Sequence, residues 1–292
     1  MPFKDAIIGN EQIVNMLERS YKLGKLSHAY LFDGPEHIGK KTLALAFCKL
    51  ILQNSSTPEH GANNNNIEED PDLVILRPDR DKKQITIEQV RNLQKKLSLF
   101  PYSAKYKVAI IEQADMMSKS AANSILKTLE EPSSTTILML LTSNFGNLLD
   151  TIKSRCQTLK FLPVKRKILE DFVKNKISDR SKVEKIIELS GYKPGKIVEF
   201  TNNGSKIEEL IDIMDGFSNF VQKSDVERLD EAEIVSKKEM NEIVDLLNLY
   251  SFYFRKVLLK EYNKINEIDK DKVIRIKDNI NLIDNTKKNL LT

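Results

Sequence analysis

Apolar residues Ile13, Met16 and Leu17 recur at helical spacing, and after a loop comes a largely apolar run at 28–32. This order predicts a short helix, a buried strand and, beyond a Gly-containing turn, a second helix ending near residue 52. Residues 54–70 break the pattern. They are rich in Asn, Ser and Glu, with four consecutive Asn at 63–66, and a segment so poor in apolar side chains predicts a flexible insert. Order resumes with a strand at 73–76, a helix over 87–99, a strand at 108–111, a helix over 121–129, a strand at 137–141 and a turn toward Ser154. Strands alternating with helices predict a mostly parallel sheet covered by helices on both faces, an α/β domain over residues 1–162.

Beyond Pro163 the strand signals cease, and Ile, Leu and charged residues recur at helical spacing. The pattern predicts a small helical domain over 163–202 and a second all-helical domain over 205–292. In the latter, Ile243, Leu246, Leu247, Tyr250, Phe254 and Leu258 form a stripe that must face a core or a partner helix.

The 292 residues leave room for two or three domains. Lys and Arg number 46 against 42 Asp and Glu, and a net charge of +4 spread this thinly does not establish direct DNA binding. Two cysteines, Cys48 and Cys156, suit a reducing compartment and are too few for a four-cysteine zinc cluster. No apolar run reaches signal-peptide length near the start or the ~18 residues of a membrane span anywhere, which predicts a cytoplasmic protein without a membrane partner.

Directly after the first strand, Gly34-Pro35-Glu36-His37-Ile38-Gly39-Lys40 carries the two glycines and the lysine of a phosphate-binding loop in its strand–loop–helix setting. Glycines let successive backbone N–H groups turn toward phosphate oxygens, and Lys40 stands at the positive end of a helix. The next position calls for a Ser or Thr hydroxyl to hold Mg²⁺, but Lys41 is there, a donor that cannot coordinate a cation. Thr42 is one residue further, rotated about 100° around the helix. The candidate set is therefore Gly34, Gly39, Lys40 and Thr42 in a degenerate loop, with no metal, no required cofactor, and room only for weak ATP or ADP binding.

After the strand at 108–111 comes Glu112-Gln113-Ala114-Asp115. A hydrolytic site needs one carboxylate for the metal and a second to polarise water; Glu112 could serve the first need, but Gln113 cannot take a proton. The alternative for Glu112 and Asp115 is an ordinary strand end and helix N-cap.

The segments 27–32, 34–40, 85–89, 106–111, 121–132 and 154–157 together resemble the AAA+ clamp-loader family of bacterial DNA polymerase III, and within it the delta-prime branch, because the tau/gamma branch keeps intact ATP sites. The likeness is dense over residues 5–162, moderate to 202 and architectural beyond. It implies a P-loop AAA+ domain, a helical lid and a helical collar, in an assembly with tau/gamma and delta subunits that opens the sliding clamp and loads it on primer-template DNA. It also implies that Arg155, in Ser154-Arg155-Cys156, acts in trans as an arginine finger on a neighbour's γ-phosphate, where a planar five-donor cation stabilises the transition state. The alternative is a surface arginine in an ion pair. Many relatives carry a zinc module where residues 53–70 lie; those cysteines are missing, so no zinc is expected. Ser143 or Asn144 resembles the sensor-one position, and Lys196 lies near sensor two, with a Gly at the register itself. Cys156 reads as a small buried hydrophobe. An active tau/gamma-type ATPase would require Glu112 and Thr42 to rescue metal binding, and a free-standing nucleotide regulator would leave Arg155 without a target.

Overall fold

The computed structural model describes residues 3, 6–53, 66–79, 84–177, 179–203, 208, 236–237, 240–262 and 269–291. The chain divides into two compact units, one of Met1–Phe172 with Lys193–Lys196, the other of Val173–Tyr192 with Ile197–Thr292.

Five parallel strands build the first unit: β1 (Ala29–Asp33), β2 (Leu73–Leu76), β3 (Lys107–Ile111), β4 (Thr136–Thr142) and β5 (Gln157–Lys160), in the order β2-β3-β4-β1-β5. Every residue of β3 and β4 is buried, which explains why both read as unbroken apolar runs: a parallel strand covered on both faces has no solvent side to mark with polar residues. β5 did not announce itself in the sequence. It is an edge strand in which only Leu159 is buried, and it exists because its backbone pairs with β1, Leu31 opposite Thr158. β1 lies between β4 and β5, so the loop that leaves its end opens at the centre of the sheet's carboxyl edge, where ligands of such sheets bind.

The helices of this unit are α1 (Glu11–Lys22), α2 (Lys40–Gln53), α3 (Ile87–Leu97), α4 (Lys119–Glu130), the one-turn α5 (Asp150–Lys153) and α6 (Arg166–Lys174), which ends two residues beyond the unit's edge. α3 opens on a capping box, with the Thr86 side chain accepting from Gln89 N–H and the Gln89 side chain accepting from Thr86 N–H. It stops two residues short of the expected 99 because its buried stripe, Val90, Leu93 and Leu97, ends there while Leu99 is exposed. α4 is capped by Ser118 and terminated before Pro132, which cannot continue a helix. Val90 and Leu93 of α3, Ile125 and Leu129 of α4, and Ile152 of α5 pack on Ala29, Leu31, Ala109 and Leu138 in one core. Elsewhere in the unit Tyr30 meets Phe47 edge-on at 5.7 Å, and Phe32 stacks on Phe161 at 5.7 Å.

The insert expected over 54–70 falls partly outside the described residues. Residues 66–70 are ordered: the Asn66 side chain caps a 3-10 turn at Ile67–Glu69, whose Glu68 is held by cations discussed below.

The second unit is helical. It contains α7 (Arg180–Leu189), with Val183, Ile186 and Ile187 buried, and all of α8 (Pro194–Asn202) from Ile197 onward. Two long helices, α9 (Met240–Tyr262) and α10 (Lys270–Leu291), pack through Phe254 and Ile276 with Tyr250, Val257, Leu258 and Ile280 around them. Three members of the expected stripe, Tyr250, Phe254 and Leu258, thus lie in an internal helix–helix core. The buried Glu261 carboxylate lies 3.2 Å from the Lys272 ammonium across the same pair.

Candidate nucleotide and inter-subunit sites

The loop between β1 and α2 needs unusual backbone angles. Gly39 has φ +106°, and His37 takes a left-handed φ of 59° despite its side chain. At Gly34 a β-carbon would lie 2.7 Å from the Phe161 Cβ and 2.9 Å from the Phe161 carbonyl oxygen, so glycine is dictated by the close approach of the segment after β5. Lys40 is buried, and its ammonium donates to the carbonyls of Gly34 and Pro35 and, at 3.1 Å, to Ser143 Oγ at the end of β4. Burial lowers its pKa, against the fields of Glu36, Asp115 and Asp33, which favour the charged form. Of the two sensor-one candidates, Ser143 is the one that meets Lys40; the Asn144 N–H bonds to Thr142 Oγ1 at 3.1 Å. Asp115 is not a helix N-cap. Its Oδ1 accepts from Thr142 Oγ1 at 2.7 Å and from Ser143 N–H at 3.3 Å, tying the acidic strand end to the residue that Lys40 touches. Thr42 is exposed, and among the described residues no hydrogen bond joins it to this group.

Beside the loop, four charges that sequence spacing does not reveal come together. Lys41 Nζ lies 3.1 Å from Glu112 Oε1 and 3.4 Å from Glu68 Oε1, while Arg77 reaches Glu112 Oε1 with Nε at 3.0 Å and Glu68 Oε2 with Nη2 at 2.7 Å. The Arg77 guanidinium, and then Lys41, hold the Glu68 carboxyl below the usual range. Arg77 follows β2 and Glu68 belongs to the 3-10 turn before it, so this quartet fastens the end of the insert to the head of α2. These residues do not fit Mg²⁺: the position that should supply a hydroxyl oxygen supplies an ammonium, and that ammonium faces the carboxylate that would have served the metal. Gln113 takes a left-handed φ of 50°, and its side chain is an amide with no carboxylate to take a proton.

Arg155 follows a 3-10 turn and the short helix α5, not the simple turn expected. Its Nη1 donates to the Thr151 carbonyl at 3.1 Å and to Ser154 Oγ at 3.3 Å, and its Nη2 lies 2.7 Å from Glu130 Oε1. About a third of the side chain remains exposed, 35% by area. Next to it, burial pushes the Cys156 thiol up to about 12, which keeps it protonated and unreactive. Within the first unit, Gly195 N–H donates to the His37 carbonyl at 2.7 Å, and a β-carbon at 195 would sit 2.9 Å from that oxygen.

A further surface was not anticipated. After α3, Leu99, Phe100 and Tyr102 are exposed at 63%, 90% and 72%. Their loop is held from beneath by the wholly buried Asp72, whose Oδ1 accepts from Tyr102 N–H at 2.6 Å and whose Oδ2 accepts from Ser103 and Ala104 N–H at 2.9 and 3.0 Å. The one available signal was the run Leu99-Phe100-Pro101-Tyr102, two residues past a helix stripe that had already ended.

Among the described residues no group of three or more His, Cys, Asp or Glu is placed to hold a metal, and no helix is long and apolar enough to cross a membrane. A family model described as DNA polymerase III, delta subunit, matches residues 9–165. The chain is 34% identical over 218 residues to the DNA polymerase III subunit delta' of Bacillus subtilis, covering 70% of this chain and 64% of that protein. It is 32% identical over 168 residues to the Bacillus subtilis subunit tau, covering 54% of this chain and 29% of that one. The matches thus span less than two thirds of these relatives. A crystal structure of a DNA polymerase III gamma-subunit-related protein from Thermotoga maritima shares the fold, with TM-score 0.52 and 21% identity over 90% of this chain and 77% of that one.

Proposed function

The chain belongs to the DNA polymerase III delta-subunit family, with a delta-prime subunit among its relatives, and on that premise we propose that it is a delta-prime-type clamp-loader subunit that hydrolyses little or no ATP itself and supplies Arg155 in trans. In this reading residues 1–162 form the AAA+ domain, 163–202 the lid and 205–292 the collar that joins tau/gamma and delta subunits. The assembly opens the sliding clamp on primer-template DNA.

The observation that carries the reading is the contact of Lys41 with Glu112: the position that should supply magnesium's hydroxyl ligand carries an ammonium, which neutralises the carboxylate at 3.1 Å. No cofactor is then required, and nucleotide binding at the loop is weak. The tau/gamma alternative would need Thr42 and Glu112 at the metal, but Thr42 is exposed and Glu112 is matched by two cations. In this reading the exposed apolar loop at 99–102 is a surface for the clamp, flanked in sequence by Lys95, Lys96 and Lys105.

The test is the complex reconstituted with Arg155→Ala and Arg155→Lys. Both variants should assemble with unchanged mass. Both should lose the ATPase of the one site served, a loss on the order of 10³–10⁵ there and a partial drop for the whole complex, since an ammonium cannot reproduce the planar fork. Unchanged ATPase and clamp loading in both variants would refute the finger, and turnover near one per second by the isolated chain, abolished by Lys40→Ala, would refute the silent site.

A further inference from the structure

Glu130 is the last residue of α4, where the unpaired carbonyls of the final turn already make a negative pole. A carboxylate is disfavoured there, and a second, Glu131, follows. By the helix dipole an acid at 130 is disfavoured; when a side chain breaks a local rule, the compensation is sought in what it touches. What Glu130 touches is Arg155, at 2.7 Å.

The backbone on both sides of this contact is fixed by the core. Leu129, next to Glu130, and Ile152, three residues before Arg155, are buried in the same apolar cluster, 2% and 0% exposed. The Thr151 carbonyl and Ser154 Oγ hold Nη1 while Glu130 draws on Nη2, so the guanidinium is gripped at both terminal nitrogens. Of its five N–H donors, two are used on Nη1 and the Nη2 side faces Glu130, which leaves Nε–H, and Nη2 once Glu130 yields, for an acceptor from outside. The grip is also releasable. Glu130 is 48% exposed, and an ion pair so open to water is weak, so a phosphate oxygen arriving at the guanidinium competes with it at little cost.

We propose that Glu130 is a positioning residue for Arg155: it presets the guanidinium in the orientation from which it meets the neighbouring subunit's phosphate. This rests on the reading of Arg155 as a finger in trans. Glu130 touches no substrate and acts through the arginine alone. The neighbour's hydrolysis rate falls when the fork must first be found among other rotamers, since the value of a catalytic group lies in its being held near the reacting geometry.

The experiment uses the reconstituted clamp loader, with DNA- and clamp-stimulated ATPase measured for Glu130→Gln, Glu130→Asp, Arg155→Ala and the double variant Glu130→Gln/Arg155→Ala, and with Glu131→Gln as a control that makes the same charge change one residue away. Glu130→Gln should lower kcat at the served site roughly 3- to 10-fold with KM for ATP unchanged, well short of the finger's own loss. Glu130→Asp should recover part of that rate, and Glu131→Gln should match the parent. The double variant should equal Arg155→Ala, because a residue that acts only through Arg155 has nothing left to position. The melting temperature of each free subunit is recorded alongside, and Glu130→Gln should leave it within ~1 °C, as for an exposed pair. Parent-like kcat in Glu130→Gln beside a silenced Arg155→Ala would overturn the proposal and leave the finger standing. A double variant slower than Arg155→Ala would overturn it too, by showing that Glu130 acts elsewhere. If Arg155→Ala itself is without effect, the finger reading falls and the proposal with it.

Discussion

Replacing Asp72 by Asn removes one negative charge and one acceptor from a fully buried group while leaving its volume almost unchanged. The carboxylate serves three backbone donors: Oδ1 takes Tyr102 N–H at 2.6 Å, and Oδ2 takes Ser103 and Ala104 N–H at 2.9 and 3.0 Å. An asparagine keeps its oxygen on the Ser103 and Ala104 side and turns its NH₂ toward the Tyr102 N–H, donor against donor. One charge-assisted bond, worth about 1.5–3 kcal/mol, is lost, and the other two weaken toward the ~1 kcal/mol of neutral bonds. The sum is at least roughly 2.5 kcal/mol. For a unit of this size each kcal/mol moves the melting temperature by about 2–4 °C, so calorimetry of the chain should show its first unit melting on the order of 10 °C lower. Hydrogen exchange gives the local reading: amides of Tyr102, Ser103 and Ala104 should lose protection before the amides of β3 do. The functional consequence follows from the same bonds, because the loop they fix carries Phe100 into solvent. A shift below ~1 °C with the three amides still protected would refute the idea that Asp72 builds this loop.

Lys41→Thr should raise Mg-ATP affinity about tenfold, ~1.4 kcal/mol, by exchanging an ammonium for a metal ligand, with no turnover, since Gln113 remains; titration calorimetry checks the first and a phosphate-release assay the second. The fold should survive this change, because the Lys41 side chain is 43% exposed and its ion pairs contribute at most about 1 kcal/mol. Phe100→Asp should leave the melting temperature within ~1–2 °C, as for an exposed site, and weaken association of the assembled loader with the clamp by tenfold or more, read by surface binding; undiminished binding would remove this loop from the clamp interface.

What the chain's own pattern determined is what depends on neighbours in sequence. The buried strands β1, β3 and β4 and helices α2 to α4 were legible because a covered parallel strand must be apolar throughout and an amphipathic helix must repeat near 3.6. The strand–loop–helix around residues 34–40 was legible because its glycines, lysine and flanking strand are contiguous. Tertiary structure decided the rest. β5 has one buried side chain and becomes a strand only through pairing with β1, which lies far back in the sequence. Arg77 and Glu112 are 35 residues apart and meet only because β2 and β3 are neighbours in the sheet, and Glu130 meets Arg155 only because Leu129 and Ile152 share a core. Charges obey distance in space and leave no period in the sequence, so which carboxylate answers which cation is settled only when strand order and helix packing bring them within a few ångströms.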